Sequence, residues 1–455
     1  MRTEKDVIGE VKIDDNIYYG INTFRAKNNF NISGIKSNDR DHIRAMAIVK
    51  KGAAYANYTT GKLKKELYES ISKACDILID GKFDDQFVVD VFQAGAGTSF
   101  NMNTNEILAN LVLESMNHKK GEYQYASPND VINMSQSTND IYPTMMRVNI
   151  MLKSQKVIKN TESLINSLKS KYKEFEKIYK TGRTHLQDAV RVTLGDEFNA
   201  WAFAVSRDLN EFEASLNYIL ELNIGGTAVG NGANTPEGYK GNAVKKISEE
   251  TGFNFRTGEN LMGLMQFMTD FSRVMNSLSD MALDLSKISD DLRLLYSGPG
   301  SGIHEIVLPA VQQGSSIMPG KINPSIAEAM NMICHSIIGS QQAVNLSVKA
   351  GQLELNVMMP HIDYEISKSM DRLANGIKML DEEAIRGIEP DLHKIKENIE
   401  RSFGSAALLN PYLGYNTMAE IVEESLETGK SIKDLVLATG KIDEKKYNEI
   451  FNFLN

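Results

Sequence analysis

Nine apolar residues, Phe267, Phe271, Val274, Leu278, Met281, Leu285, Ile288, Leu292 and Leu295, follow one another at alternating steps of four and three. That spacing marks one face of a single α-helix about 42 Å long at roughly 1.5 Å per residue. The same rhythm runs through Val157, Thr161, Leu164, Leu168, Tyr172, Phe175 and Tyr179, and again through Leu194, Phe198, Trp201, Val205, Leu209, Phe212, Leu216 and Ile219. Two more helical runs extend over 327–348 and 357–380. Helices with a broad apolar face must bury it against one another. The expected fold is therefore mainly α, a long central five-helix bundle flanked by two smaller domains. Stripes this long are hard for one chain to cover, so bundling between subunits is expected as well.

With 455 residues the chain exceeds the size at which one compact core usually stops growing. Residues 1–138 mix short extended pieces, turns and moderate helices, and are read as an N-terminal, mostly helical domain. Within them the stretch 18–26 has turn residues at both ends and little helical period. Residues 139–390 carry the long stripes. Residues 391–455, beyond Gly387-Ile388-Glu389-Pro390, read as a small helical C-terminal domain. The Met262, Met265, Met268 cluster reads as core packing.

The formal net charge is −9, with acids and bases interspersed, which argues against nucleic acid as a partner because phosphate binding needs a basic face. Cys75 and Cys334 have neither a CxxC neighbour nor zinc-type spacing to histidine; they read as small buried apolar side chains in a reducing, cytoplasmic setting. The N-terminus lacks the apolar core of a signal peptide, and no uncharged run reaches membrane-span length.

Four stretches combine glycine with small hydroxyl and amide side chains. They are Gly95-Ala96-Gly97-Thr98-Ser99-Phe100-Asn101-Met102-Asn103-Thr104-Asn105-Glu106, then Asn133-Met134-Ser135-Gln136-Ser137-Thr138-Asn139-Asp140, then Thr181-Gly182-Arg183-Thr184-His185-Leu186-Gln187-Asp188, and finally Gly314-Ser315-Ser316-Ile317-Met318-Pro319-Gly320-Lys321-Ile322-Asn323-Pro324. Taken singly, the first reads equally as an interhelical turn and the second as the cap of a long helix beginning near residue 143. A lone histidine is more often structural than catalytic. The fourth is a loop suited to an anion: glycine and proline keep N–H groups out of a helix, Lys321 adds a charge, and a helix from Ser325 turns its positive end back toward the loop.

In this order and at these separations the four stretches resemble the aspartase/fumarase superfamily along essentially the whole chain. Thr98-Ser99 and Ser137-Thr138-Asn139 are similar to the aspartase variants rather than the fumarase ones. The resemblance implies a lyase that eliminates ammonia from L-aspartate to give fumarate, with an amino-acid or dicarboxylate substrate and neither cofactor nor metal. It also implies a homotetramer whose helices form a twenty-helix core and whose sites are shared between subunits, with no nucleic acid or membrane partner. Proton removal beside a carboxylate passes through an enediolate, so the site must hold positive potential in place beforehand. Carried over position by position, Ser315 is the base, and Thr98, Ser137, Thr138 and Ser316 hold the carboxylate that becomes the enediolate. Thr184, Lys321 and Asn323 bind the other carboxylate. Asn139 and His185 face the amine, and Glu328 partners the histidine. The resemblance also implies that the 314–324 loop is a lid.

Several positions depart from the aspartase pattern: Asn22 stands for histidine, Arg191 for proline, Asn231 for threonine, Gly300 for arginine, His304 for a small residue and Met359 for glutamate. They read either as drift in supporting positions or as a pocket reshaped around a bulkier or substituted amine. A class II fumarase and a non-catalytic structural relative complete the alternatives.

Overall fold

The structure, a computed structural model, describes residues 1–451 and is mainly helical. Two antiparallel strands, β1 (Arg2–Lys5) and β2 (Glu10–Ile13), are followed by α1 (Ile21–Asn29), α2 (Arg40–Thr59), α3 (Lys65–Ile79) and α4 (Thr98–Ser115). Most of the stretch 18–26 is thus helical despite its weak period. The reason lies far along the chain: the buried Glu106 carboxylate of α4 accepts the N–H groups of Gly20 and Asn22, each at 2.8 Å, and of Thr23 at 3.1 Å. A negative group at a helix N-terminus satisfies orphan donors and complements the dipole. Burial raises the Glu106 pKa, while the Thr23 hydroxyl and these N–H groups act in the opposite direction.

Next comes α5 (Thr138–Phe175), 38 residues long, and then a hairpin of β3 (Tyr179–Thr184) and β4 (Gln187–Thr193). The chain continues through α6 (Leu194–Leu216), β5 (Glu221–Leu222), α7 (Tyr239–Thr251), β6 (Arg256–Thr257), α8 (Gly263–Gln266) and α9 (Thr269–Tyr296). After β7 (Ile306–Val307) come α10 (Ser325–Lys349), α11 (Met359–Glu383) and β8 (Glu389–Pro390), which pairs with β7. Five short helices end the described chain: α12 (Leu392–Arg401), α13 (Ala406–Leu413), α14 (Tyr415–Thr428), α15 (Ile432–Ala438) and α16 (Glu444–Ile450). The last four surround a small apolar cluster containing Leu409, Met418, Ile432 and Val436.

The five long helices expected from the stripes are α5, α6, α9, α10 and α11. Phe271, Val274, Leu278, Met281, Leu285, Ile288 and Leu292 are all buried to 2 % exposure or less. Phe267 is the exception at 66 % exposed: it lies in the extended link between α8 and α9, where Met268 takes the inward place. Tyr179 also leaves its stripe, since α5 ends at Phe175 and Tyr179 pairs with Thr193 in the hairpin. Helix α5 begins at Thr138, with Pro143 inside it rather than at its start.

The chain forms two compact units. The first comprises Met1–Ile158, Asn210–Asp280 and Ser336–Arg372, and the second Lys159–Leu209, Met281–His335 and the chain from Leu373 onward. The divisions fall within the five long helices. In the first unit Asn149 of α5 reaches Asp363 at 3.2 Å and Ser367 at 2.8 Å on α11. In the second, Asn160 of α5 donates to the Ala374 carbonyl at 2.7 Å, and Asn331 of α10 to that of Ser286 on α9 at 3.1 Å. Among the described residues no helix is long and apolar enough to cross a membrane.

Candidate active site

The 133–140 stretch, in the first unit, is a turn that feeds α5. Ser137 and Asp140 cap the helix reciprocally: the Ser137 hydroxyl accepts the Asn139 N–H at 3.2 Å, and the Asp140 carboxylate accepts the Ser137 N–H at 2.9 Å. The other Asp140 oxygen accepts the N–H groups of Gly225 at 2.8 Å and Thr227 at 3.1 Å, clamping the 225–228 loop beside the turn. Burial pushes the Asp140 carboxyl up to about 6 against the pull of these donors. Asn139 donates to the Ala228 carbonyl at 2.8 Å, so the same loop orients its amide. Ser135 holds a φ of 59°, a left-handed conformation that is unfavourable for serine and is kept by the bonds around it. An open cleft of about 650 Å³ is lined by Ser135, Ser137, Thr138, Thr227 and Ala228.

The asparagines at 101, 103 and 105 lie within α4 rather than in a turn, each at most 1 % exposed. Asn101 donates to the Thr138 hydroxyl at 2.9 Å and Asn105 to the Asn133 side-chain oxygen at 3.2 Å. Asn103 points away, to Gln86 and Val88. Thr98 opens α4, exposed, with its hydroxyl 3.3 Å from the Gly95 carbonyl. Gly97 before it has a φ of 80°, and a Cβ there would lie 2.1 Å from the Tyr142 ring, so glycine is required for the turn to sit against α5.

Thr184 and His185 belong to the second unit and sit at the tip of the β3–β4 hairpin, where Thr184 pairs with Gln187 across His185 and Leu186. Both tip residues have positive φ, 56° and 60°, as a type I′ turn requires. The hairpin base is braced by Glu305, fully buried, which takes a two-pronged bond from Arg183 at 2.9 and 3.0 Å, and contacts Lys180 and Asn398, each at 3.0 Å. Burial works to raise the Glu305 pKa, but the bond to Arg183 and the two cations outweigh it and hold the carboxyl below its usual range. His185 itself is exposed.

The 314–324 loop is also in the second unit. Gly314 donates to the Lys321 carbonyl at 3.0 Å and accepts from the Asn323 amide at 2.9 Å, closing the loop at its neck. A Cβ on Gly314 would meet the Lys321 carbonyl oxygen at 2.2 Å. The Ser315 hydroxyl oxygen accepts the N–H groups of Ile317 at 3.2 Å and Met318 at 3.0 Å. Donors aimed at that oxygen stabilise it as negative charge develops, which is what a serine needs in order to act as a base. Ser316 and Lys321 are exposed, and no hydrogen bond or ion pair holds the Lys321 ammonium among the described residues. Ile317 is 83 % exposed. Glu328 lies half-buried in the first turn of α10, and no bond joins it to His185 within the chain.

The sequence-predicted residues therefore fall into two sets. Thr98, Ser137, Thr138 and Asn139 lie in the first unit; Thr184, His185, Ser315, Ser316, Lys321, Asn323 and Glu328 lie in the second. Among the departures, His304 is occupied structurally, its Nδ1 lying 3.1 Å from the Tyr296 carbonyl oxygen. Arg191 stacks its guanidinium 5.1 Å from the Tyr179 ring, Met359 is fully buried at the start of α11, and Gly300 is exposed. Sequence reading missed Lys50, Asn133, Gln136, Asp140 and Glu305. A signal for Lys50 was present: it stands on the apolar face of α2 defined by Met46, Ala47, Ala53 and Ala54. Among the described residues no cluster of three or more His, Cys, Asp or Glu side chains suits a metal ion.

A family model described as Lyase matches residues 9–339, and one described as Fumarase C C-terminus matches residues 406–455. The chain is 42 % identical to aspartate ammonia-lyase of Bacillus subtilis, over 99 % of this chain and 95 % of the relative. It is 43 % identical to that of Helicobacter pylori, over 99 % and 97 %. Among solved structures, a fumarate lyase:delta crystallin from Brucella melitensis superimposes with a TM-score of 0.95 at 41 % identity, covering 100 % of this chain and 98 % of the other. A class II fumarase from Schistosoma mansoni gives 0.94 at 30 % identity, covering 100 % and 98 %. From its N-terminal motifs to its C-terminal helices, the chain belongs to the aspartase/fumarase superfamily of lyases.

Proposed function

We propose that the protein is a carbon–nitrogen lyase that eliminates ammonia from L-aspartate to give fumarate. The observation that carries this reading is the 40–44 % identity, over 99 % or more of the chain, to aspartate ammonia-lyases from several bacteria. In this reading Ser315 takes the proton from the carbon beside one carboxylate, its oxygen supported by the Ile317 and Met318 N–H groups. Thr98, Ser137, Thr138 and Ser316 receive the enediolate, while Thr184, Lys321 and Asn323 hold the second carboxylate. Asn139 and His185 meet the departing amine, and Glu328 orients the histidine of a site shared between subunits. The departures at His304, Arg191 and Met359 support drift in supporting positions, since those side chains are engaged in packing or local bonds.

The same reading makes the protein a cytoplasmic homotetramer with a twenty-helix core and three domains, 1–138, 139–390 and 391–455. Large apolar side chains left exposed on long helices support it: Phe203 on α6, Leu283 on α9, and Met332 and Leu346 on α10 are 52–68 % exposed in the single chain. Such faces call for a partner.

The direct test is incubation of the purified protein with L-aspartate, following ultraviolet absorbance of the new double bond. Stoichiometric ammonia release is the expected result. No turnover at high enzyme concentration, or turnover only of an N-substituted aspartate, overturns it, and hydration of fumarate to malate would reassign the protein as a fumarase.

A further inference from the structure

Lys50 lies at the middle of α2, 1 % exposed, with its ammonium 3.0 Å from the Asn133 side-chain oxygen and 2.9 Å from that of Gln136. Both acceptors belong to the turn that presents Ser137 and Thr138. Asn133 is tied in addition to Asn105, Asn101 to Thr138, and the Met134 carbonyl accepts from Asn57 of α2 at 2.8 Å. A buried ammonium normally faces a carboxylate, because an unpaired charge in a low-dielectric interior is costly. Lys50 has two neutral amide oxygens instead and forms no ion pair within 4 Å among the described residues. The titratable groups acting on it are the Asp140 carboxylate of α5 and the Cys75 thiol of α3. The thiol is itself pushed up to about 12 by burial, so it remains neutral, and the Asp140 oxygens are already engaged by three backbone N–H groups.

We propose that Lys50 is a positioning residue for the elimination: it fixes the hydroxyl-bearing 133–138 turn through Asn133 and Gln136 and takes up a positive charge beneath it when a dicarboxylate occupies the turn. This rests on the reading of Ser137 and Thr138 as carboxylate ligands. Burial lowers the Lys50 ammonium to about 7 in the free protein, so near pH 8 it is largely uncharged until an anion arrives. A carboxylate on the turn then favours the protonated amine, and binding draws in a proton from solution.

The test uses the full-length protein and succinate, a dicarboxylate without a leaving group, measured by titration calorimetry between pH 6 and 9. In the wild type, succinate is expected to bind more tightly as pH falls, with uptake of about half a proton or more at pH 8, judged from buffers of different ionisation enthalpy. In Lys50→Met, with folding checked by its melting curve, binding at pH 7 should weaken about tenfold or more, and the proton uptake should disappear. Uptake and affinity equal to wild type in the folded variant overturn the proposal. Should Lys50→Met fail to fold, the wild type alone decides, because binding without proton uptake at pH 8 overturns it equally. Aspartate turnover with an unaffected variant removes only the role of Lys50. Lys50-dependent succinate binding without aspartate turnover removes only the ammonia-lyase reading. Absence of succinate binding to the wild type overturns the role of Lys50, and without aspartate turnover it removes both.

Discussion

The two hydroxyl-rich segments of this protein, 133–140 and 314–324, look alike in sequence and differ in how they are held. The first is fastened from several sides: Asp140 clamps it to the 225–228 loop, Lys50 and Asn57 hold it on α2, and Asn101 and Asn105 hold it on α4. The second is closed at its neck, by Gly314, Lys321 and Asn323 and by the Tyr296 hydroxyl donating to the Ile322 carbonyl at 3.2 Å, and leaves Ile317, Met318 and Lys321 exposed. A segment with dense buried bonds opens only with its surroundings, whereas one with few contacts can move alone. On the proposed reading the first is a prebuilt cradle for charge, and the second a lid that carries Ser315 and Lys321.

Three predictions can break or sharpen this contrast. The largest effect is expected at Ser315→Ala, which should lower kcat for aspartate by about 10³-fold while the melting temperature and assembly stay unchanged. A rate within a few-fold of wild type would refute the assignment of Ser315 as the base. Next, one substitution made in both segments should separate them. Gly97→Ala, beside the cradle, forces a side chain into the Tyr142 ring at positive φ and should cost roughly 3 kcal/mol or more, seen as a lower melting temperature. Gly314→Ala disrupts the neck of the loop and should remove activity with little change in melting. Equal losses of stability in the two variants would contradict the contrast.

The smallest effect concerns pH. Burial keeps the Lys50 ammonium near 7 in the folded chain, against 10.5 ordinarily, so between these values the unfolded chain holds the extra proton. The folded state is therefore disfavoured by this group below about pH 7, and the handicap fades as pH rises toward 10.5. The stability of wild type minus that of Lys50→Met, from denaturant unfolding, should rise by about 3 kcal/mol between pH 7 and 9.5. A flat difference would show that the ammonium is not desolvated as the geometry requires.

The long helices were legible because a stripe such as Phe271 to Leu292 repeats with the helix's own period, and every member is buried. Local periodicity is a property of the chain alone. It failed where neighbours in space decided the outcome: α1 forms around a cap supplied by Glu106, and Phe267 lost its inward place to Met268. The candidate site followed the same division. Residue types at Thr98, Ser137, Thr184, His185, Ser315 and Lys321, in their order, carried the resemblance and hence the expected chemistry. The brackets that hold them, Lys50 under Asn133 and Gln136, Asp140 on Gly225 and Thr227, and Glu305 on Arg183, join positions 83 to 122 residues apart, where a hydrogen bond can form only after folding. What the sequence determined by itself was periodicity and the inventory of functional groups. Only the tertiary structure decided which of those groups are buried and paired, because burial and hydrogen-bond partners belong to the packed chain and not to any window of it.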